Sequence, residues 1–188
     1  MDIVSIIKAA CLLLLLFCAM LGAFGAQMQA TDGADAKIYL YKLSSGPITV
    51  YYTDTSFGCG ALDSTMDAAF AFALLSWITI AAGVAVAAVA IFKKDLIPAI
   101  ANLAVSAAAW VFLTLSWVLV VVMYYTKYCG ASSNLKENAK FDYGFGFLIL
   151  SWILATCWVA FEALSLLNLI PAVAQQRTVP DEEKQATA

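Results

Sequence analysis

Apolar side chains run unbroken over four long stretches of the chain, and charged residues collect between them. Residues 9–31, 68–92 and 96–126 carry no charge, and residues 143–176 carry only Glu162. About 20 apolar residues rising 1.5 Å each cross a hydrocarbon layer roughly 30 Å thick, so each stretch can span a bilayer as one helix. The pattern predicts helices at about 4–26, 66–92, 98–125 and 143–170. Ser64 and Asp67 form a capping-box pattern before the second, Pro98 suits the first turn of the third, and Pro171 closes the fourth.

Only Lys93, Lys94 and Asp95 separate the second and third helices, which predicts an antiparallel hairpin with a very short turn. The connections at 27–65 and 126–142 then share the opposite side. Lys and Arg number five on each side (Lys8, Lys93, Lys94, Arg177 and Lys184 against Lys37, Lys42, Lys127, Lys136 and Lys140), so charge counting does not orient the chain. The concentration of Lys93 and Lys94 at helix ends, and the chemistry of the first long connection, place both termini in the cytoplasm.

That connection reads as β structure. In IYLYKLSSGPITVYYTD, β-branched and aromatic residues flank the turn cluster Ser44-Ser45-Gly46-Pro47, the pattern of a hairpin. The second, TKYCGASSNLKENAKFD, is polar, and the tail at 172–188 has almost nothing to bury and is expected to be disordered. The expected fold is therefore an all-α membrane domain over 1–171, a four-transmembrane-helix bundle with a small extracellular β-hairpin or sheet in the first outer loop. Lys8, an apolar run and the small-residue end Ala23-Phe24-Gly25 also fit a secretory signal peptide cleaved after Gly25; the strong apolar span Leu12 to Phe17 and the weak basic start favour a retained helix. No Asn-x-Ser/Thr sequon occurs, so N-glycosylation is not expected.

Composition narrows the function. The chain is 63% hydrophobic and 12% charged with mean hydropathy +0.87, which excludes an ordinary soluble domain. Ten Lys plus Arg against thirteen Asp plus Glu leave −3, with no basic surplus for a phosphate backbone, so no nucleic-acid partner is expected. Histidine is absent, which removes the commonest general base and zinc ligand. No nucleophile–base pair, metal set or phosphate loop can be assembled, and no enzyme activity or cofactor is expected.

Glu162 is the most informative single residue. A carboxylate inside a membrane helix costs a few kcal/mol on insertion scales and must face the bundle with a partner. Counted from the helix ends, Asn102 and Lys8 lie at similar depth, which predicts a structural polar cluster of Glu162, Asn102 and Lys8; the functional alternative is a transporter or channel component using Glu162 and Asn102. Cys11, Cys18 and Cys157 read as small apolar packing residues, with Cys11 and Cys18 one heptad apart on a shared face. Cys59 and Cys129 fall one in each outer loop, flanked by glycine, and form a candidate disulfide. Ala69/Ala73, Ala81/Ala85, Gly83/Ala87 and Ala104/Ala108 are small-xxx-small pairs for helix packing, and Trp77, Trp110, Trp117, Trp152 and Trp158 read as packing anchors.

The strings AFAFALLSW, WVLVVVMYYTKYCG and YGFGFLILSWIL followed by LLNLIP, with the four-span layout, give a chain that resembles the amastins over roughly residues 66–171. These are surface proteins of kinetoplastid parasites with claudin-like architecture. The resemblance implies a plasma-membrane or parasite-surface protein acting in membrane organisation or host interaction, without known catalysis. Its partners would be the lipid bilayer and either further copies or other membrane proteins. The chain departs from the family's first-loop signature C-x-T-x-W-G-x-x-x-x-C: that loop has no tryptophan and only Cys59. Two readings follow, a divergent member and another claudin-like or MARVEL-like four-helix protein.

Overall fold

The computed structural model describes residues 3–31, 36–45, 47–51, 60–92, 99–128 and 135–167. Among them four helices are long and apolar enough to cross a membrane: α1 (Ile3–Phe24), α2 (Gly60–Phe92), α3 (Ala99–Tyr125) and, after a single turn α4 (Leu135–Asn138), α5 (Tyr143–Leu166). They form a ring in which α1 and α3 each pack against both α2 and α5, so that α1 stands diagonally opposite α3.

The buried face of each helix is a run at alternating spacings of three and four. On α2 it is Met66, Ala69, Ala73, Ser76, Ile80, Gly83 and Ala87; on α3, Ser106, Ala109, Leu113, Ser116, Val120 and Met123. On α5 it is Gly144, Leu148, Ser151, Ala155, Trp158, Glu162 and Ser165. A mean spacing of 3.5 keeps one seam turned inward along a left-handed supercoil. The seam is rich in Ala, Ser and Gly, while bulky Leu13, Phe17, Ile78, Val111, Leu150 and Ile153 point out. Lipid tails are as apolar as leucine, so burying large residues gains little here, whereas small ones let backbones approach and gain dispersion contact. The serine hydroxyls are satisfied locally: Ser76 donates to Ala73 O at 2.7 Å and Ser151 to Phe147 O at 2.7 Å. Ser116 instead donates across to Ala69 O of α2 at 3.0 Å. Of the four small-residue pairs, Ala69/Ala73 and Gly83/Ala87 lie in this seam; Ala85 and Ala104 are exposed, which turns their pairs outward.

The connection between α1 and α2 and the one between α3 and α5 both contribute to one antiparallel sheet of order β4-β3-β2-β1-β5, with β1 Met28–Ala30, β2 Ala36–Ile38, β3 Lys42–Ser45, β4 Ile48–Tyr51 and β5 Ala139–Phe141. The predicted hairpin is β3 and β4, closed between Ser45 and Ile48. Its expected first arm breaks in two, because Tyr39 N–H donates to Lys42 O at 2.9 Å and turns the chain through Leu40 and Tyr41. Leu40 is driven into the core at 1% exposure, and Tyr41 meets Phe24 of α1 and Phe70 of α2 at ring separations of 6.1 and 5.5 Å. The sheet is thus seated on the bundle by an aromatic cluster at one side. At the other, Tyr124, Phe141 and Phe145 stack at 4.2 and 4.1 Å.

The α2 start differs from expectation. The helix begins at Gly60 and not near 66, and Ser64 and Thr65 already donate back to Ala61 O inside it at 3.2 and 2.7 Å, so Ser64 is not a cap. Asp63 in the first turn supplies the favourable charge for the helix N-terminus. At 33 residues, or about 50 Å, α2 extends well past a hydrocarbon core of about 30 Å. Residues 93–95, Pro98, Pro171 and the tail lie outside the described residues.

Sheet and bundle are joined where α1 ends and α5 begins. Asp142 caps α5, its Oδ1 accepting from Tyr143 N–H at 2.7 Å, and Gln27 Nε2 donates to Gly22 O at 2.6 Å at the end of α1. Asp142 N–H donates to Gln27 O at 2.9 Å and Gly144 N–H to Ala26 O at 2.8 Å, extending the β1–β5 ladder down to the helices. A Cβ on Gly144 would lie 2.6 Å from Ala26 O and from Gly25 C, and one on Gly25 would lie 2.9 Å from Gly144 Cα. Two backbones meet here with no room for a side chain. Gly146, two residues on, has nothing within 4 Å of its Cβ position. Gly144→Ala is therefore expected to cost about 3 kcal/mol and to abolish a monodisperse peak in detergent, while Gly146→Ala elutes and melts like the parent; equal behaviour of the two variants would refute this account of the neck.

Candidate functional site

Two charged residues of the spans, Lys8 and Glu162, meet near the end of the bundle away from the sheet. Glu162 is 6% exposed, and Lys8 Nζ of α1 lies 2.5 Å from its Oε1. The indole N–H of Trp158, one turn earlier on α5, donates to the same oxygen at 3.0 Å. The Trp158 ring in turn lies over Gly83 of α2, where a Cβ would sit 2.4 Å from ring carbon Cη2. One carboxylate and one indole thereby join α1, α5 and α2. Gly83 and Trp158 were not expected in this group; their signals were the small residue in the Gly83/Ala87 pair and the four-residue spacing of Trp158 and Glu162.

Asn102 does not join them. It is half-buried on α3 and is not among the recorded contacts of Glu162, which are to α1 and to its own helix. The ring order separates Asn102 from Lys8, since α3 stands diagonally across from α1; α3 does pack against α5, but the Glu162 carboxylate is taken by Lys8 and Trp158.

Between α3 and α5 the tryptophans make a reciprocal clasp. Trp110 Nε1 donates to Thr156 Oγ1 at 3.0 Å, and the Thr156 hydroxyl donates to Trp152 O at 2.8 Å. Trp152 Nε1 donates to Thr114 Oγ1 at 2.9 Å, and the Thr114 hydroxyl donates to Trp110 O at 2.8 Å. The two indoles stack at 6.5 Å, and Trp117 meets Trp152 edge-on at 5.8 Å. In hydrocarbon an indole N–H has no water to turn to, so a hydroxyl one helix away fixes the pairing register of α3 and α5. The Nε1 groups of Trp77 and Trp117 are buried without a hydrogen-bond partner.

The cysteines separate by environment. Cys18 is buried, but Cys11 and Cys157 are exposed, so the reading of all three as core packing residues is corrected. Cys11 and Cys157 instead line a groove between α1 and α5. Cys59 and Cys129 lie outside the described residues. Among the described residues no three His, Cys, Asp or Glu side chains come together as a metal site.

The polar contact has a measurable consequence. Glu162→Gln keeps an acceptor for Trp158 and should cost about 1 kcal/mol, in the range of interhelical hydrogen bonds in membranes. Glu162→Leu strands both the lysine and the indole and should cost about 3 kcal/mol, with part of that loss recovered by adding Lys8→Met. Unfolding in mixed micelles measures the cycle; additive effects of Lys8→Met and Glu162→Leu would show the two groups to be uncoupled.

No curated protein matches the chain at significant similarity. The family model described as amastin surface glycoprotein matches residues 13–161, from the first span through the last. The four apolar helices and the small antiparallel sheet fit that tetraspan family despite the missing first-loop signature. The chain belongs to the amastin surface glycoprotein family and is a multi-pass membrane protein.

Proposed function

We propose that this amastin is a non-enzymatic plasma-membrane protein whose outer sheet is the working surface, engaged in membrane organisation or host contact, and whose helices hold that sheet and assemble laterally. The observation that carries the reading is the single sheet drawn from both outer connections and seated on α1 and α5 without intervening linker. Such a cap is a rigid platform. Its edge strand β4 presents Ile48 at 64% and Tyr51 at 46% exposure, apolar side chains that a purely protective cap would not need. The outward pairs Ala81/Ala85 and Ala104/Ala108 support lateral contact between helices.

Both termini and residues 93–98 face the cytoplasm in this reading, and α1 is retained: it supplies Lys8 to Glu162, and the family match includes residues 13–24. A Cys59–Cys129 bridge would tie the start of α2 to the second outer connection. Carbohydrate, where present, would be attached other than at an Asn-x-Ser/Thr sequon, since the chain has none.

The test is expression on cells. External protease should spare a C-terminal tag, and alkylation without reductant should leave Cys59 and Cys129 unmodified. Ile48→Lys with Tyr51→Lys should reach the surface in parental amount and lose adhesion to host-cell membranes. Unchanged adhesion, a mature N-terminus at Ala26, or free labelling of both thiols would each remove the corresponding part. Proton or ion flux in liposomes that Glu162→Gln abolishes would replace the proposal with a transport function.

A further inference from the structure

Helices α1 and α5 touch backbone to backbone at Gly25 and Gly144 and have separated by their opposite ends, where they enclose a groove of about 400 Å³. Leu12, Leu15 and Leu154 line its depth, with Trp158 and Phe161, and the thiols of Cys11 and Cys157 are exposed. Lys8 is the charged residue of the lining, and its ammonium is bound to Glu162. Lys8 lies two residues inside the span that begins at Ile6, about 3 Å, which places it at the polar boundary of the bilayer. From Ile7 to Leu15 the groove descends about 12 Å, most of one leaflet of a hydrocarbon core about 30 Å thick.

We propose that this groove is a binding site for a sterol, with the sterol hydroxyl seated on the Lys8–Glu162 pair and the ring system lying along α1 and α5. The charge of the site selects the head. The pair is neutral as a whole, so an anionic phosphate would meet the Glu162 carboxylate as well as the ammonium. A hydroxyl satisfies both, donating to the carboxylate and accepting from Lys8, whose ammonium carries three donors and whose side chain is 22% exposed. The shape selects the body. A rigid polycycle loses little internal freedom on entering a preformed apolar slot, whereas a flexible acyl chain must be ordered bond by bond, and a phospholipid brings two chains to one groove. The flat indole and phenyl faces of Trp158 and Phe161 suit a ring system, and small Cys11 and Cys157 leave the room it needs.

The test uses the full chain in phosphatidylcholine vesicles with a diazirine-bearing cholesterol. Crosslinks should map to peptides containing residues 7–15 and 154–161, and excess unlabelled cholesterol should suppress them. Cys11→Phe and Cys157→Phe replace exposed side chains and fill the groove, so each should lower labelling about tenfold without changing elution or melting. The paired change Lys8→Met with Glu162→Leu removes the hydroxyl's partners and should lower labelling to a similar degree. Labelling spread evenly over all four helices, or unchanged in the filled variants, would overturn the site. So would an acyl-chain photoprobe on phosphatidylcholine that labels the same peptides and is not displaced by cholesterol, which would make the groove an annular-lipid contact. Disulfide crosslinking of Cys11 or Cys157 between copies at the same yield with and without cholesterol would assign the groove to a second copy of the chain and overturn it equally.

Discussion

Everything above the bilayer depends on the place where Gly25 and Gly144 meet. Two helix ends approach until neither can carry a side chain, and the approach aligns the segments that follow α1 and precede α5. Three-residue β1 and β5 then pair, although neither Met-Gln-Ala nor Ala-Lys-Phe has the length or composition of an independent strand. Once these two strands, more than 100 residues apart in sequence, have paired, β2, β3 and β4 add outward from β1, and the two connections become one sheet. A side chain at either glycine would separate the sheet from its seat.

What could be read in advance follows from which free energies are large. A charge in hydrocarbon costs several kcal/mol, so charges mark the spans and the four helices were legible. The Ser-Ser-Gly-Pro cluster marked β3 and β4 through turn chemistry. β1 and β5 were not legible, because they form through tertiary delivery and not local preference. Nor did hydrophobicity mark the inward face, since lipid and core are equally apolar and only residue size distinguishes them. The run Ala69, Ala73, Ser76, Gly83, Ala87 carried that information in its three-and-four spacing. Cys11 and Cys157 were misplaced for the same reason: a thiol is equally suited to core and lipid. The early start of α2 was hidden because Ser64 resembles a cap whether it stands at a helix end or one turn inside it.

The polar groups of the bundle divide the remaining work. Apart from Ser116, the serines at the seam hold their hydroxyls on their own helices and act mainly as small residues. The Trp–Thr clasp joins α3 to α5, and the Ser116–Ala69 bond joins α3 to α2. Glu162 joins α5 to α1, the side of the ring where a groove interrupts close packing. Directional bonds thus stand on three sides of the ring, and on one of them packing alone would not hold the helices in register.

Glu162 does more for geometry than for stability. Interhelical hydrogen bonds in membranes average about 0.6 kcal/mol, so the pair with Lys8 adds little net stability. The alternative has a cost: rotating α5 would set the carboxylate against lipid, a penalty of about 2.5–3.5 kcal/mol at the helix centre that is smaller near the end of the span, where Glu162 lies. The charge therefore acts with the small residues of the seam in selecting which face of α5 turns inward. Gly144 and Glu162 are 18 residues apart, five turns of an α-helix at 3.6 residues each, so both lie on one face. Turning Glu162 toward Lys8 near one end of the helix turns Gly144 toward Gly25 at the other. An acidic residue inside the bilayer in this way fixes the contact on which the sheet outside it stands.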